Sequence, residues 1–318
     1  MKIVIPGGTG QVGTALGRAL RRDGHQVVIL TRRPPGPRQA HWDGERLGPW
    51  AGEVDGSDAV VNLAGRSVSC RYTKANLTEM MRSRVRSARV VGQAIAAARR
   101  PPRVWLQMST ATIYAHTHGA PNDEATGVIG GEEVGVPGYW AFSVDIARAW
   151  ERELAEAETA QTRKVALRTA MVMTPARGGV FDVLSRMARL GLGGPVAGGT
   201  QYVSWIHEDD FTAAVRFIIA RDGLTGPVNL AAPGPERQRD LMRELRAAWG
   251  VPAGLPATRW MAELGALAMR TDTELLLKSR RVVPGLLSAA GFGFRHGAWP
   301  EAARDLVRRA RSPVKPGG

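Results

Sequence analysis

Three glycines near the start of the chain stand three residues apart, between two kinds of apolar pattern. The apolar run 2–6 predicts a strand, and the spacing of apolar residues from residue 12 onward predicts a helix. At such a turn the first glycine permits a tight bend, the second lets backbone N–H groups approach a pyrophosphate, and the third lets the helix pack on the strand. The segment GGTGQVG therefore predicts a dinucleotide site whose contacts are Gly7, Gly10, Gln11, Val12 and Gly13.

The residues after the second apolar strand discriminate between the two nicotinamide dinucleotides. An acidic side chain there would hydrogen-bond the ribose 2′-hydroxyl, whereas an arginine would accept a 2′-phosphate. The chain has Thr31, Arg32 and Arg33 at this point and no acid nearby. Because a guanidinium binds phosphate through paired hydrogen bonds, the sequence favours NADP(H) as the cofactor. One of the two arginines, most simply Arg33, also fits the description of a solvated surface residue.

Strand and helix patterns alternate through the first two-thirds of the chain. They predict an α/β fold, a Rossmann-fold doubly wound parallel sheet covered by helices on both faces, with a smaller C-terminal substrate lobe. Glycines at 178–179 and 191–199 indicate irregular backbone. Strands are expected at 2–6, 26–30, 58–64, 104–109 and 165–170, with a short one near 40–42, and helices at about 74–99 and 142–158.

The character of the sequence changes beyond Pro175. We predict an NADP(H)-binding Rossmann domain over residues 1–175, to which part of 205–235 returns. Residues 176–310 would form the smaller substrate lobe, and the Pro- and Gly-rich residues 311–318 a disordered tail.

Composition excludes several classes of protein. The net charge is +14, from 43 basic and 29 acidic residues, but no basic stripe with interleaved aromatic residues is present, so we expect no nucleic-acid partner. No apolar run reaches the roughly 18–20 residues needed to cross a bilayer, and the N-terminal apolar stretch is too short for a signal peptide. We therefore expect a cytoplasmic protein without a membrane partner. The single cysteine, Cys70, excludes a multi-cysteine metal site, and we expect no metal.

Taken together, the motifs resemble the extended short-chain dehydrogenase/reductase superfamily, in particular an atypical branch of it. That branch is similar to NAD-dependent epimerases and dehydratases and carries a small C-terminal module. The resemblance covers nearly the whole chain. Its landmarks are GGTGQVG (7–13), DAVVNLAG (58–65), SRV (83–85), RVWLQMSTATIY (103–114), LRTAMVMTP (167–175), GGTQYVSWIHEDD (198–210), GPVNLAAPGP (226–235), TDTELLLKSRRVVPGLL (271–287) and GFGFRH (291–296).

The resemblance implies further cofactor contacts. The end of the strand at 58–64 would lie beside the adenine ribose, and the long helix would contribute a carboxylate and a guanidinium. Met171, or its neighbour Val172, would lie along the nicotinamide. The alternatives are an exposed helix carboxylate for Glu79 and an ordinary core residue for Met171. The implied set is Leu63, Ala64, Gly65, Glu79, Arg84, Ser109 and Met171.

Reductases of this superfamily use a serine, a tyrosine and a lysine four residues after the tyrosine, whose spacing places both side chains on one helical face. No Tyr-x-x-x-Lys exists in this chain. Alignment with the family pattern puts Ser143 at the tyrosine position and Ala147 at the lysine position. Ser109 keeps the serine position, with Thr110 as the alternative.

Other groups must therefore move protons if the protein is an enzyme. The nearest phenols are Tyr139 and Tyr114, and with Ser109 they are the candidate catalytic residues. Tyr72, Trp205 and His207 are candidates for the substrate pocket, although a structural histidine is the alternative for His207.

Two functions remain open. The first is an NADP(H)-binding oxidoreductase or epimerase-like enzyme that acts on a small organic substrate. The second is a non-catalytic NADP(H)-binding regulatory or scaffold protein, which the missing tyrosine and lysine favour. The second lobe favours the enzyme, because an enclosed cleft is rarely needed to hold a nucleotide alone. The resemblance also implies a homodimer as one oligomeric state.

Overall fold

Aliphatic runs of the chain form a parallel sheet at the centre of the fold. The computed structural model describes residues 1–68, 70–258, 260–261 and 274–312. Within them the strands are β1 (Lys2–Pro6), β2 (Gln26–Thr31), β3 (Gln39–His41), β4 (Ala59–Asn62), β5 (Val104–Thr110), β6 (Arg163–Thr169), β7 (Met171–Met173), β8 (Tyr202–Val203), β9 (Trp205–His207), β10 (Gly226–Leu230) and β11 (Glu236–Arg237). The helices are α1 (Gln11–Arg22), α2 (Ala51–Val54), α3 (Lys74–Ala96), α4 (Trp140–Glu156), α5 (Val180–Arg189), α6 (Glu208–Ala220), α7 (Gln238–Trp249), α8 (Glu274–Leu277), α9 (Gly285–Ala289) and α10 (Trp299–Arg311).

The main sheet has the strand order β10-β6-β5-β4-β1-β2-β3, and all of its pairs are parallel. Ile3 of β1 pairs with Val27 of β2 on one side and with Ala59 of β4 on the other. The chain runs from β1 outward to β3 and later in the opposite direction to β10, so the strand order reverses between β1 and β4. Ligands of doubly wound folds bind outside the carboxyl ends of the strands at this reversal. The predicted doubly wound fold is confirmed.

Two apolar layers cover the sheet, because its strands are apolar on both faces. Helices α1 and α6 bury Leu16 and Phe211 on one face. Helices α3 and α4 bury Val91 and Trp150 on the other. The period of buried residues along α3 matches one helical face, as expected from the sequence.

A second apolar cluster forms the C-terminal lobe. Trp205 of β9 and Trp299 of α10 pack edge to face with ring centroids 4.9 Å apart, and both are fully buried. Helices α5 and α7 pack against this pair. The sequence indicates irregular backbone on both sides of α5, and the helix between the two glycine segments was not predicted. It forms because Phe181 and Ala188 face the tryptophan cluster.

The two parts of the chain are not separate in sequence. Helix α6 covers the main sheet, and β10 joins it beside β6, while α7 and α10 belong to the second lobe. The domain division at residue 175 stays a prediction. Most of the predicted disordered tail, residues 313–318, lies outside the described residues, as do residues 271–273 of the C-terminal motif. No helix in the described parts of the chain is both long and apolar enough to span a membrane.

The packing of α1 on the first turn gives a test of the fold. A Cβ built at Gly13 would stand 2.5 Å from the Gly8 Cα, a backbone atom that cannot move aside without displacing the helix. We expect Gly13→Ala to lower the free energy of unfolding by about 1–3 kcal/mol, measured by urea denaturation.

Gly52→Ala is the matched control, because no described atom lies within 4 Å of a Cβ built at this helical glycine. We expect it to change the free energy of unfolding by less than about 0.5 kcal/mol, or to raise it. Equal losses in the two variants would contradict the close packing at Gly13.

Candidate active site

The turn after β1 is shaped by two contacts of Gly7. Its N–H donates to the Leu30 carbonyl at 3.1 Å, and its φ of +73° lies in the left-handed region that favours glycine. A Cβ at Gly7 would stand 2.7 Å from the Ala64 Cα. The turns after β1 and β4 therefore touch, and the predicted contacts Gly7, Leu63, Ala64 and Gly65 lie together at the strand-order reversal.

The N-terminus of α1 presents unused backbone donors. Gly10 is its N-cap, no side chain caps it, and its first turn has no acidic residue. Among the described residues, the only atom within 4 Å of a Cβ built at Gly10, apart from local backbone, is the Gly7 carbonyl oxygen at 3.8 Å. The first N–H groups of a helix have no intrahelical acceptor, and the helix dipole favours an anion there. This end of α1 suits a phosphate.

Gln11 and Val12 have different environments in α1. The Gln11 side-chain amide donates to the Arg177 carbonyl at 2.6 Å, which ties the turn to the segment after β7. Val12 packs against the apolar core beneath the sheet. Gln11 thus lies at the rim of the turn, between the cofactor loop and the second lobe.

The end of β2 carries the two predicted arginines. Thr31 is buried, and its hydroxyl accepts the N–H of Arg33 at 3.1 Å. Arg32 and Arg33 are exposed, and neither has an acidic partner in the described part of the chain. Both guanidinium groups are therefore available to an anion beyond the carboxyl end of β2.

A buried amide pair holds the turn after β4. Asn62 donates from Nδ2 to the Gln107 Oε1 at 2.9 Å, and its Oδ1 accepts the N–H of Ala64 at 3.0 Å. Both amides are fully buried in the sheet. This pair was not predicted; the signal that marks it is one amide residue within each of two predicted buried strands.

Helix α3 places Arg84 against the turn after β4. A Cβ at Gly65 would stand 3.2 Å from the Arg84 Cγ, and the guanidinium lies 5.1 Å from the Trp150 ring centroid. Burial lowers the pKa of Arg84 to about 10, and no carboxylate in the described residues pairs with it. Glu79, the other residue predicted on this helix, forms an ion pair with Arg82 at 2.5 Å. Arg84 is thus a cation with no carboxylate partner beside the cofactor turn.

Ser109 belongs to a buried ionic network. Its hydroxyl donates to the Glu151 Oε1 at 2.6 Å, and Arg168 donates to both oxygens of the same carboxylate, at 2.9 and 2.8 Å. Burial lowers the pKa of Arg168, but the hydrogen bonds to Glu151 outweigh it and raise that pKa. The predicted catalytic role of Ser109 stays a prediction, and its hydroxyl proton is held by Glu151. Thr110, the alternative, accepts the Thr112 N–H instead.

Tyr114 extends the same network into the core. Its hydroxyl accepts from the Arg168 guanidinium and donates to the Asn229 Oδ1, both at 3.0 Å, and its side chain is 1% exposed. Burial raises the pKa of this phenol, and the hydrogen bond from Arg168 opposes the shift. The structure therefore places Tyr114 below the cleft surface.

Two other predicted residues meet at the cleft. Tyr139 precedes α4, is 39% exposed, and packs edge to face with Tyr72 at 6.5 Å between ring centroids. Tyr139 was predicted to be catalytic and Tyr72 to line the substrate pocket. Met171 lies apart from them in β7, half-buried, and pairs in register with Trp205. Trp205, also predicted for the pocket, lies in the core of the second lobe and donates to the Gly234 carbonyl.

His207 begins α6 and is fully buried. Its Nδ1 accepts the Asp209 N–H at 3.1 Å, so the ring acts as an N-cap. Its ring stacks on His296 with centroids 3.8 Å apart. Burial, with help from His296, lowers the pKa of His207 to about 4. The structure therefore favours the structural alternative for this residue.

Three potential metal ligands meet here, because His207, His296 and Asp305 place one ligand atom each within 4.8 Å of the others. However, a neutral imidazole that accepts at Nδ1 carries its hydrogen on Nε2, the atom that faces Asp305 at 3.2 Å. That nitrogen has no lone pair for a metal. Metals are bound by the nitrogen lone pairs, which lie in the plane of each ring. An ion between the two stacked rings would face their planes instead. The geometry favours a helix cap over a metal centre.

One polar contact joins the C-terminal segment to α4. Ser143, at the position of the family tyrosine, donates its hydroxyl to the Glu274 Oε2 at 2.6 Å. Glu274 begins α8 and is 1% exposed, with Lys278 and Arg280 beside it. Glu274 and Lys278 were not predicted to be site residues, because the segment that contains them has no spacing with a chemical interpretation.

Comparison with known proteins gives matches over both lobes. Residues 3–231 match the NAD dependent epimerase/dehydratase family, and residues 257–306 match a domain of unknown function (DUF1731). The epimerase family protein ML0860 of Mycobacterium leprae is 32% identical over 319 residues, 96% of this chain and 96% of that relative. The human epimerase family protein SDR39U1 is 29% identical over 310 residues, 96% of this chain and all of that relative.

Two solved structures extend the comparison to three dimensions. The crystal structure of human epimerase family protein SDR39U1 (isoform2) with NADPH has a TM-score of 0.84 at 27% identity, over 97% of this chain and 99% of that one. A nucleoside-diphosphate sugar epimerase from Corynebacterium glutamicum has a TM-score of 0.75 at 27% identity, over 97% of this chain and 58% of that one. The similarity therefore includes the C-terminal module as well as the sheet.

The buried cap at His207 predicts a pH-dependent stability. The groups that face it are His296, Asp209, Asp305 and Arg309. An unfolded histidine takes up a proton near pH 6.5, whereas the folded pKa is lower, so unfolding binds a proton between these values and the free energy of unfolding falls as pH falls from about 6.5 to 4. We expect His207→Asn, which keeps a capping side chain, to reduce that slope by up to about 1.4 kcal/mol per pH unit in urea denaturation.

His41→Asn is the control, because His41 is exposed on the edge strand β3. We expect it to leave the slope unchanged. A slope that survives His207→Asn would show that other groups cause the acid sensitivity.

Proposed function

The chain belongs to the NAD dependent epimerase/dehydratase family, and we propose that it is an NADP(H)-dependent oxidoreductase or epimerase-like enzyme that acts on a small organic substrate. The observation that carries the proposal is the open N-terminus of α1 at the strand-order reversal, where Gly10 leaves room for a pyrophosphate. A fold alone does not define a function, but a site with unused donors and adjacent space does point to a ligand.

The residues present fit the cofactor. The pyrophosphate would lie on the first N–H groups of α1, and the turn after β4 would border the adenosine. NADP(H), when bound, supplies or accepts a hydride at its nicotinamide. The protein would orient it through Gly7, whose close approach to Ala64 fixes the shape of the turn, and through the open space at Gly10.

Three cations support NADP(H) over NAD(H). Arg32 and Arg33 follow β2 without an acidic partner, where a ribose 2′-phosphate would lie. Arg84 adds a half-buried positive charge beside the turn after β4. The structure of human SDR39U1 with NADPH supports the same assignment. The proposed set therefore combines an anion-binding helix end with guanidinium groups along the cleft.

One observation favours the second candidate function, a non-catalytic NADP(H)-binding protein. The hydroxyl groups of Ser109 and Tyr114 are both held by Arg168 and Glu151 in a buried network, so neither faces an open cleft. The two functions separate on turnover, because only the enzyme would oxidise NADPH in the presence of a carbonyl substrate. The small-molecule substrate, a homodimer and a cytoplasmic location stay predictions.

The 2′-phosphate assignment is tested by titrating the protein with NADPH and with NADH while nicotinamide fluorescence is followed. Arg32→Asp removes a charge-assisted contact and adds a repelling carboxylate. We expect it to weaken NADPH binding about 10- to 100-fold and to leave NADH binding nearly unchanged. The control is Arg99→Asp, an equal change of charge at an exposed residue just beyond α3. Equal losses for both cofactors would contradict the assignment.

The pyrophosphate position is tested by Gly10→Ala. The added methyl group has room in the protein, so we expect the free energy of unfolding to change by less than about 1 kcal/mol. The same methyl group occupies the space of the pyrophosphate, and we expect NADPH and NADH binding both to weaken at least about tenfold. Unchanged binding would place the cofactor elsewhere. Failure of wild-type protein to bind either nucleotide would overturn the proposed function.

A further inference from the structure

A buried carboxylate lies beside the residue that takes the position of the family tyrosine. The Ser143 hydroxyl, at the tyrosine position on α4, donates to the Glu274 Oε2 at 2.6 Å. Glu274 comes from the C-terminal segment, 131 residues later in the chain, and its side chain is 1% exposed. A charge is buried at a large cost unless its surroundings compensate it. The segment therefore holds this carboxylate against α4 with dedicated partners.

Lys278 is the first of those partners. Its Nζ lies 3.8 Å from the Glu274 Oε1 and donates to the Thr112 carbonyl at 3.0 Å. Arg280 is the second, with its Nη2 3.9 Å from the same oxygen. Burial lowers the pKa of Lys278 to about 8, and the Glu274 carboxylate limits the shift. An ammonium in this position gives up its proton close to neutral pH, which an ordinary lysine does not.

A series of interactions connects the cluster to the cofactor turn. Arg84 packs on Gly65, and Tyr72 is close enough to act electrostatically on both Arg84 and Arg280. Tyr72 also packs on Tyr139, the residue that precedes α4. Packing and electrostatic interactions therefore connect the proposed cofactor turn to Arg280 and to the residue that precedes α4.

We propose that Lys278, Glu274 and Ser143 form a proton path that takes the place of the missing tyrosine and lysine. The inference rests on the proposed function. Ser143 would be the catalytic residue, because its hydroxyl would touch the substrate oxygen. Glu274 and Lys278 would act through it, as relay and positioning residues.

The proton balance of a carbonyl reduction follows from this order. A carbonyl carbon that gains a hydride leaves its π electrons on oxygen, and that oxygen takes the proton of the Ser143 hydroxyl. The Lys278 ammonium protonates the Glu274 carboxylate, and the resulting carboxyl group rotates and returns that proton to the Ser143 oxygen. Neutral Lys278 is reprotonated from solvent before the next turnover. Oxidation of an alcohol runs the same path in reverse and requires neutral Lys278.

The first experiment follows Lys278 itself. The chain has five lysines, Lys2, Lys74, Lys164, Lys278 and Lys315, so NMR of protein with labelled lysine side chains gives few resonances. Lys278→Met identifies the resonance of interest by its loss. We expect that resonance to titrate near pH 8 and to titrate at lower pH in Glu274→Gln, because the carboxylate stabilises the ammonium. A midpoint near the ordinary lysine value, or one that Glu274→Gln leaves in place, overturns the path.

The second experiment measures reduction of 4-nitrobenzaldehyde by NADPH across pH. In wild-type protein we expect kcat to fall as pH rises through about 8, because the ammonium must supply the proton. We expect Lys278→Met and Glu274→Gln to lower kcat by on the order of 100-fold and to remove that fall. Glu274→Asp, which keeps a carboxylate, should retain part of kcat. Ser143→Ala, which removes the hydroxyl group, should not. The KM for the aldehyde should change little in the two relay variants.

Lys164→Met is the matched control. Burial also lowers the pKa of Lys164, and its Nζ donates to the carbonyl groups of Ala155 and Ala157 and pairs with no carboxylate of the described residues. We expect an unchanged pH profile. An unchanged profile in Lys278→Met as well would mean that the cluster is only structural.

NADPH titrations of the same variants separate the two proposals. Variants that bind NADPH as wild-type protein does but lose kcat support the path. If wild-type protein reduces the aldehyde and the variants keep its pH profile, the path is overturned and the proposed function stands. If wild-type protein binds no NADPH, the enzyme and the path are overturned together; if it binds NADPH but does not reduce this aldehyde, the titration of Lys278 decides the path.

Discussion

The bidentate ion pair between Arg168 and Glu151 is the constraint on which the floor of the cleft depends. It joins β6 to α4, and each partner is largely buried. Such a pair is tolerated in a low-dielectric interior only when its remaining hydrogen-bonding capacity is also used. Ser109 and Tyr114 fill that requirement from β5 and from the turn after it. The hydroxyl groups of Ser109 and Tyr114 therefore lie where they complete the hydrogen bonds of the ion pair.

The turn after β1 is arranged in the reverse way. The N-terminus of α1 keeps unused donors, Gly10 leaves open space, and Arg32 and Arg33 have no acidic partner among the described residues. The hydroxyl groups of Ser109 and Tyr114 are hydrogen-bonded to the ion pair, whereas the first N–H groups of α1 have no partner among the described residues. Because unsatisfied donors are costly unless water or a ligand meets them, the contrast marks the face on which an anion binds.

The C-terminal segment does more than complete a second core. Trp299 secures α10 against Trp205, and the His207 cap fastens α6 to the same helix through Asp305. The segment also places Glu274 against α4. Residues 257–306 match a domain of unknown function, and Glu274 places this region of the chain beside Ser143. The module therefore supplies both the packing of the second lobe and a buried charge beside Ser143.

The sequence by itself determined the sheet, the glycine turn and the arginines after β2, because each is a local pattern. Apolar periodicity reports burial within one element, and glycine spacing reports the backbone of one turn. Helix α5 was not predicted, since its stability comes from Phe181 against the second core rather than from its flanks. Only the tertiary structure decided the partners of Ser109 and Ser143, which lie 42 and 131 residues away along the chain. The same holds for the stacking of His207 on His296, because His296 belongs to the C-terminal segment. Periodicity shows which side chains are buried; which charges and hydroxyl groups meet depends on how the elements pack, and that information is not local.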